Sequence, residues 1–95
     1  MSPFPTNWNS FLSAPLVSSA ALRRELRRKL PETAARHRAE AMLKGCTPKT
    51  TPLYLRMIQA CAQWLLAHPN ADHDEATALT IAVAQAVKRF DLTLD

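Results

Sequence analysis

Two cysteines and three histidines are the residues of this sequence best suited to metal binding or nucleophilic chemistry. Cys46 and Cys61 lack the CxxC pairing that is typical of metal and redox sites. His68 and His73 fall in the segment HPNADHD, but together with the distant Cys61 they do not form a recognised zinc spacing. We interpret the acids of this segment as helix caps, and we predict neither a metal site nor a cofactor.

Nucleophilic catalysis by a cysteine needs a lowered thiol pKa and a neighbouring base. Cys61 lies on the apolar side of a predicted helix, which is typical of a core residue. Cys46 follows a predicted helix end, where the helix dipole disfavours a thiolate. No serine or histidine has a supporting arrangement in the sequence, so we expect a protein that is not an enzyme.

The segment AALRRELRRKLPE, residues 20–32, surrounds three leucines with basic side chains. Leu22, Leu26 and Leu30 recur every fourth residue, which predicts one buried helix face. Residues 1–49 hold nine Lys or Arg against three Glu, a net of +6, whereas residues 50–95 hold three against five acids, a net of −2. Such a local positive field attracts a polyanion or an acidic protein surface.

These charges favour a non-enzymatic regulatory or adaptor protein whose partner is a protein with an acidic surface. Aromatic residues of the N-terminal arm could add apolar anchors, or could pack against the body of the protein instead. Separation of a basic front from an acidic back also predicts a homodimer. The candidate partner-binding residues are Arg23, Arg24, Arg27, Arg28, Lys29 and Arg36, with Trp8 and Phe11 as the apolar anchors.

The alternative is a DNA- or RNA-binding module that places the same basic residues, with Arg36 and Arg38, on phosphates. A helix-turn-helix at Ala41 and Gly45 is excluded because Pro52 would interrupt its recognition helix.

The stretch TPKTTPLYLRMIQACAQWL, residues 47–65, resembles the first helical stretch of the core-binding domain of tyrosine recombinases. The matching features are a Ser/Thr-Pro-x-Thr start, then a tyrosine, spaced aliphatic residues and an aromatic-Leu pair. The stretch departs from the pattern at Pro52, and of the usual basic residues after the tyrosine it keeps Arg56. The resemblance covers about one fifth of the chain and implies DNA as a partner. The matching residues are Thr47, Pro48, Thr50, Tyr54, Ile58, Trp64 and Leu65.

One glycine against seven prolines argues against hairpin turns and phosphate-binding loops, so we predict an all-α fold. Residues 1–17 form an irregular arm with at most one helical turn, and residues 18–95 form a single domain, a small bundle of about four helices. The helices are predicted at 19–30 with a serine cap, at 31–44 with a left-handed exit at Gly45, at 52–67 after Thr51, and from Asp72 or Asp74 onward.

The N-terminal apolar stretch has no preceding Lys or Arg and is interrupted by Pro3, Pro5 and Pro15, so we predict no signal peptide. No window has the uncharged apolar length of a membrane span. With cysteines expected to be reduced, these features predict a cytoplasmic protein without membrane contact.

Overall fold

The computed structural model describes residues 3–94, and the side chains of residues 3–88. It confirms the all-α prediction: within that range the chain forms helices and no strand. Four long helices follow an N-terminal arm that contains one short helix. The helices are α1 (Trp8–Leu12), α2 (Ser19–Lys29), α3 (Ala34–Lys44), α4 (Pro52–Ala67) and α5 (His73–Leu94).

Helix α4 is the centre of the bundle and contacts α1, α2, α3 and α5. Its apolar residues recur at intervals of three and four, and the predicted stripe is buried throughout. Ala60 and Ala62 are buried as well, so neighbours cover α4 on more than one face. The stripe comprises Tyr54, Met57, Ile58, Cys61, Trp64 and Leu65.

Helices α2, α3 and α5 pack their own apolar faces around α4. Leu22 and Leu26 of α2 are buried, and Leu30 packs partly buried against the same core, as their spacing predicts. Helix α3 contributes small residues, Ala35 and Ala39, which let neighbouring helices approach closely. Leu79 and Val83 are among the residues of α5 that are buried in the core. The outward arc of α2 is therefore left to its basic side chains.

Side chains cap two helix starts. Ser18 Oγ accepts a hydrogen bond from the Ala21 amide at 3.3 Å, in agreement with the predicted serine cap. Thr33 Oγ1 accepts from the Arg36 amide at 3.2 Å, and α3 begins after it, at Ala34. The predicted start at Pro31 is wrong because the threonine hydroxyl supplies an acceptor that Leu30, the residue before the proline, does not have.

The predicted left-handed exit from α3 is also wrong. Gly45 has φ −75° and ψ −11°, which lie in the right-handed region. Its amide donates to Ala41 O at 3.1 Å, and the Cys46 amide donates to Leu43 O at 3.1 Å. These two bonds satisfy two of the last four carbonyls of α3 without a left-handed residue.

The N-terminal arm is tied to α4 along its length. Trp8 is buried, with its ring centroid 5.2 Å from that of Phe4. Gln59, which the helical pattern placed on the polar side of α4, is only 2% exposed. Its carboxamide accepts from Val17 N at 3.0 Å and donates to Val17 O at 2.7 Å. The polar-side prediction for Gln59 is therefore wrong, because the arm covers that side of the helix.

None of the helices in the described part of the chain has both the length and the apolar character needed to span a membrane.

Candidate functional site

Helices α2 and α3 carry the net positive charge of the molecule. Residues 18–45, which we call the α2–α3 basic face, hold eight Lys or Arg against three Glu, a net of +5. Residues 46–88 hold three Lys or Arg against three acids, and residues 1–17 hold none of either. The positive field that the sequence predicts is thus confined to one helical hairpin.

Arg23 and Arg24 lie in the N-terminal half of α2, and within the described residues neither forms an ion pair. Arg24 is exposed and Arg23 is half-buried. With Arg27 and Ala20 they surround a shallow hollow of about 160 Å³. Two adjacent guanidinium groups without a carboxylate partner are suited to bind anionic groups of another molecule.

Arg28 and Lys29 share one carboxylate of their own helix. Arg28 Nη2 lies 3.0 Å from Glu25 Oε2, and Lys29 Nζ lies 3.1 Å from the same oxygen. The hydrogen bond from Arg28, and to a smaller extent that from Lys29, lowers the pKa of Glu25 below the ordinary value of a glutamate. The two cationic side chains remain 67% and 51% exposed, so a carboxylate of a partner can compete for them.

Glu40 is a buried carboxylate held between two arginines from different helices. Arg27 of α2 donates from Nε to Glu40 Oε1, and Arg36 Nε lies 3.2 Å from Oε2. Sequence spacing also predicts a Glu40–Lys44 pair, but the carboxylate turns inward to the two arginines instead. This cluster, which we call the Arg27–Glu40–Arg36 triad, fastens α2 to α3.

Arg36 is a structural residue rather than a surface one. Its side chain is 13% exposed and donates from Nη1 to Leu30 O at 3.2 Å. The four-residue spacing of Glu32 and Arg36 also predicts an ion pair, which is present at a distance of 3.8 Å. Arg27 differs, because 70% of its side chain remains exposed beside Glu40. A partner can therefore reach Arg27 but not the greater part of Arg36.

A surface cleft of about 450 Å³ lies between the side chains of α2 and α3. Four Lys or Arg line it against two Glu, so its formal charge favours a carboxylate or a phosphate. His37 and Lys44, which the sequence prediction did not include, line this cleft as well, and His37 Nε2 lies 3.4 Å from Glu32 Oε1. Both positions follow from helical spacing on α3 once the facing helix is known. The Lys and Arg of the lining are Arg23, Arg27, Arg36 and Lys44.

Arg38, a predicted phosphate contact in the nucleic-acid alternative, is half-buried. Its Nη1 donates to Thr80 Oγ1 at 3.2 Å, and Thr80 in turn donates to Thr77 O at 2.9 Å. Arg38 therefore connects α3 to α5, and Nη1 of its guanidinium is committed inside the fold.

The two aromatic anchor candidates, Trp8 and Phe11, lie on α1, which does not contact the basic helices α2 and α3. Trp8 is 8% exposed and belongs to the core. Phe11 is half-buried, and its ring centroid lies 6.2 Å from that of His68. Among the described helices, α1 contacts α4 only. The structure thus does not combine the arginines and these aromatic rings in one surface.

Both thiols lie in surroundings that disfavour the thiolate. Burial raises the pKa of Cys61 to about 12. Burial also raises the pKa of Cys46, whose Sγ donates to Met42 O at 3.5 Å. In the described part of the chain, no three His, Cys, Asp or Glu residues come together in a way that could hold a metal ion.

Comparison with protein-family models, with curated proteins and with solved structures finds no match to this chain.

Proposed function

We propose that the protein is a non-enzymatic adaptor or regulator that binds an acidic segment of a partner protein on its α2–α3 basic face. One observation carries the proposal: Arg23 and Arg24 have no carboxylate partner within the described residues, both lie beside the exposed Arg27, and Arg23 also lines the basic cleft. Two unpaired cations beside a positive cleft offer charge-assisted hydrogen bonds to several carboxylates at once.

The distribution of acids on this face favours a protein over a nucleic acid. Glu25, Glu32 and Glu40 lie among the basic residues, and Glu32 and Glu40 line the cleft itself. A nucleic-acid backbone presents a regular row of charges and meets these carboxylates with repulsion. A peptide can place its acids opposite the arginines and neutral residues opposite the glutamates.

A second copy of the chain is one partner with suitable charge. Asp72, Asp74 and Glu75 are exposed around the start of α5 and give the molecule an acidic end. Pairing of this end with the α2–α3 basic face would form the homodimer that the charge separation predicts.

The proposal is tested by removing the two unpaired charges. Arg23→Gln with Arg24→Gln breaks no ion pair within the described chain, so the fold should be retained. The matched control is Lys49→Gln with Lys88→Gln, which changes the net charge equally at exposed positions outside the face. Binding of a fluorescent glutamate-rich peptide and of a random-sequence DNA duplex is measured by anisotropy over a range of salt concentrations.

We expect the arginine variant to lose about tenfold in peptide affinity, because each of the two exposed ion pairs that it removes contributes about threefold. We expect the lysine control to change the affinity by less than about twofold. Equal losses in both variants would show that net charge alone drives binding and would refute the assigned face. Tighter binding of the duplex than of the peptide, with a steep salt dependence, would establish the nucleic-acid alternative.

The homodimer is tested separately by sedimentation at low and high salt. We expect dimers that dissociate as salt rises, and that are lost when Asp72→Asn, Asp74→Asn and Glu75→Gln are combined. A monomer at all concentrations would restrict the partner to another protein.

A further inference from the structure

The cleft between α2 and α3 has two ends, which follow from how the helices pair. Arg27 of α2 meets Glu40 of α3 in this cleft. Because a connection of only residues 30–33 joins the two helices, they run in opposite directions. Arg23 lies four residues back from Arg27 along α2, and Lys44 lies four residues on from Glu40 along α3. Arg23 and Lys44 therefore share the end of the cleft that is remote from the connection, and both line it.

The end of the cleft formed by Arg23, Arg27 and Lys44, which we call the Arg23–Lys44 end, offers cations to an outside group. Neither Arg23 nor Lys44 forms an ion pair with any residue whose side chain the structure describes. The bond from Arg27 to Glu40 uses Nε, so its two terminal nitrogens remain as donors on a side chain that is 70% exposed. Cations thus reach this end from both helices.

The opposite end of the cleft, beside the connection, is occupied by charge pairs. Glu32 lies 3.8 Å from Arg36 and 3.4 Å from His37. An anion at that end would be repelled by Glu32, which is 74% exposed, and would find Arg36 largely buried. Glu40, the other acid of the described lining, already accepts from Arg27 and lies 3.2 Å from Arg36. An anionic group is therefore favoured at the Arg23–Lys44 end.

Charge and acceptor number favour a phosphate group over a carboxylate there. The lining of the cleft holds four Lys or Arg against two Glu, a net of +2 with the histidine neutral. A phosphorylated side chain carries about −1.5 to −2 at pH 7 and three strong acceptor oxygens. These oxygens can accept from both walls at once, whereas a carboxylate has about half the charge and two oxygens in one plane. The row of phosphates of a nucleic acid would continue along the cleft to Glu32.

We propose that the Arg23–Lys44 end binds a phosphorylated serine or threonine within the acidic segment of the partner protein. Arg23 and Arg27 donate to the phosphate oxygens from α2, and Lys44 donates from α3. Arg24, which lies outside the cleft lining, binds a neighbouring carboxylate of the segment. This inference rests on the proposed function and adds its regulation, because phosphorylation of the partner then sets how tightly the α2–α3 basic face holds it.

The test compares three fluorescent peptides of one glutamate-rich sequence that differ at a single central position, which holds serine, glutamate or phosphoserine. Binding to the full chain is measured by anisotropy at low salt and at about pH 7.5, where the phosphate is mostly a dianion. We expect the phosphoserine peptide to bind about tenfold more tightly than the serine peptide, and the glutamate peptide about threefold more tightly than the serine peptide.

Single variants locate the phosphate. Lys44→Gln removes one exposed ion pair, so it should lower the preference for phosphoserine over serine about threefold, and Arg23→Gln should do the same. Arg24→Gln carries the same charge change outside the cleft lining, so it should weaken all three peptides alike and keep the preference. Lys49→Gln, at an exposed position away from the cleft, should change each affinity by less than about twofold. Urea unfolding of each variant checks that the fold is retained.

The outcomes separate this inference from the proposed function. Equal binding of the phosphoserine and glutamate peptides, or a preference that Lys44→Gln leaves unchanged, would overturn the phosphate site. The proposed function would still hold if Arg23→Gln with Arg24→Gln weakened the glutamate peptide. An equal loss of preference in Lys49→Gln would show that net charge alone selects the phosphate and would also overturn the site. If none of the peptides binds, both proposals are wrong.

Discussion

Replacement of Glu40 by Gln should destabilise the fold, because it removes the negative charge between two arginines. Of the carboxylates whose side chains the structure describes, Glu40 alone is buried. In Glu40→Gln, Arg36 keeps its hydrogen bond to Leu30 O and its ion pair with Glu32 at 3.8 Å. It loses its nearest anion, although its side chain is only 13% exposed to solvent. An uncompensated charge in such surroundings is unfavourable.

The size of the effect follows from the exposure of the triad. Removal of one partner from a wholly buried pair costs about 3–5 kcal/mol. Arg27 is 70% exposed and can be hydrated, and the glutamine keeps an oxygen that accepts from Arg27 Nε, so we expect a loss of about 2 kcal/mol. With a typical urea dependence for a domain of this size, the unfolding midpoint falls by about 1 M.

The assay is urea unfolding followed by far-UV circular dichroism, and the matched control is Glu32→Gln. Glu32 pairs with the same arginine at 3.8 Å but has 74% of its side chain exposed. We expect Glu32→Gln to cost less than about 0.5 kcal/mol and to lose its effect in about 1 M salt. The Glu40→Gln effect should persist at that salt concentration, because the buried part of the triad is screened much less.

Equal losses in the two variants, or a Glu40→Gln effect that disappears with salt, would refute the reasoning that this carboxylate acts as a buried charge. Combining Glu40→Met with Arg36→Met gives an independent check, because the only charge left without its partner in the triad is that of Arg27, which is 70% exposed. The double variant should recover part of the stability lost in Glu40→Gln.

Three further predictions concern other parts of the fold. Gln59→Ala leaves both backbone groups of Val17 without their partner, so it should cost about 1–2 kcal/mol in urea unfolding and speed proteolysis of the arm. Because Cys61 is fully buried, and because that burial raises its pKa to about 12, it should react with iodoacetamide at mildly alkaline pH only as fast as the protein unfolds, with Cys46→Ser used to isolate it. The pKa of Glu25 is lowered in the fold, so its contribution is present above the unfolded value of 4.5 and is lost as pH falls through the folded value. The stability difference between the wild type and Glu25→Gln should accordingly shrink in acid.

Each of these has an outcome that contradicts it. Gln63→Ala, at a half-buried position one turn further along α4, should leave the arm protected, and equal proteolysis in both variants would contradict the role of Gln59. Rapid alkylation of the Cys46→Ser variant under native conditions would show that Cys61 is accessible. If the difference in unfolding free energy between the wild type and Glu25→Gln is constant with pH, the pairing of Glu25 with Arg28 and Lys29 is not maintained in solution.

Local rules were sufficient for much of the fold. The bounds of α4 follow from Pro52 and the apolar spacing, although Thr51, the predicted cap, forms no side-chain hydrogen bond with the helix, and the burial of the α2 leucines follows from their four-residue interval. Both features depend on interactions within one helical turn or on one periodic face. The start of α3 is harder to predict, because both Pro31 and Thr33 are acceptable signals for the first turn of a helix. The helix begins after Thr33, whose side chain has a hydrogen-bond acceptor for a free backbone amide.

Features that join distant segments did not follow from the sequence. Gln59 shares the polar side of α4 with Arg56 in a helical projection, and it is buried because a segment 42 residues earlier in the chain covers it. The Arg27–Glu40 pair joins residues 13 apart on different helices. Pairs of this kind depend on how α2 packs on α3, whereas the Glu25 and Glu32 pairs follow from spacings of three and four.

The Arg27–Glu40–Arg36 triad connects the stability of the fold to the charge of the proposed surface. Glu40 occupies Arg27 and lines the cleft with a negative charge. In Glu40→Gln the net charge of the α2–α3 basic face rises by one, and Arg27 is released to bind other anions. The variant should therefore bind the glutamate-rich peptide about threefold more tightly at low salt while it unfolds at a lower urea concentration. Stability and affinity that fall together would show that the peptide needs the triad intact, and that Arg27 does not contribute to binding as a free cation.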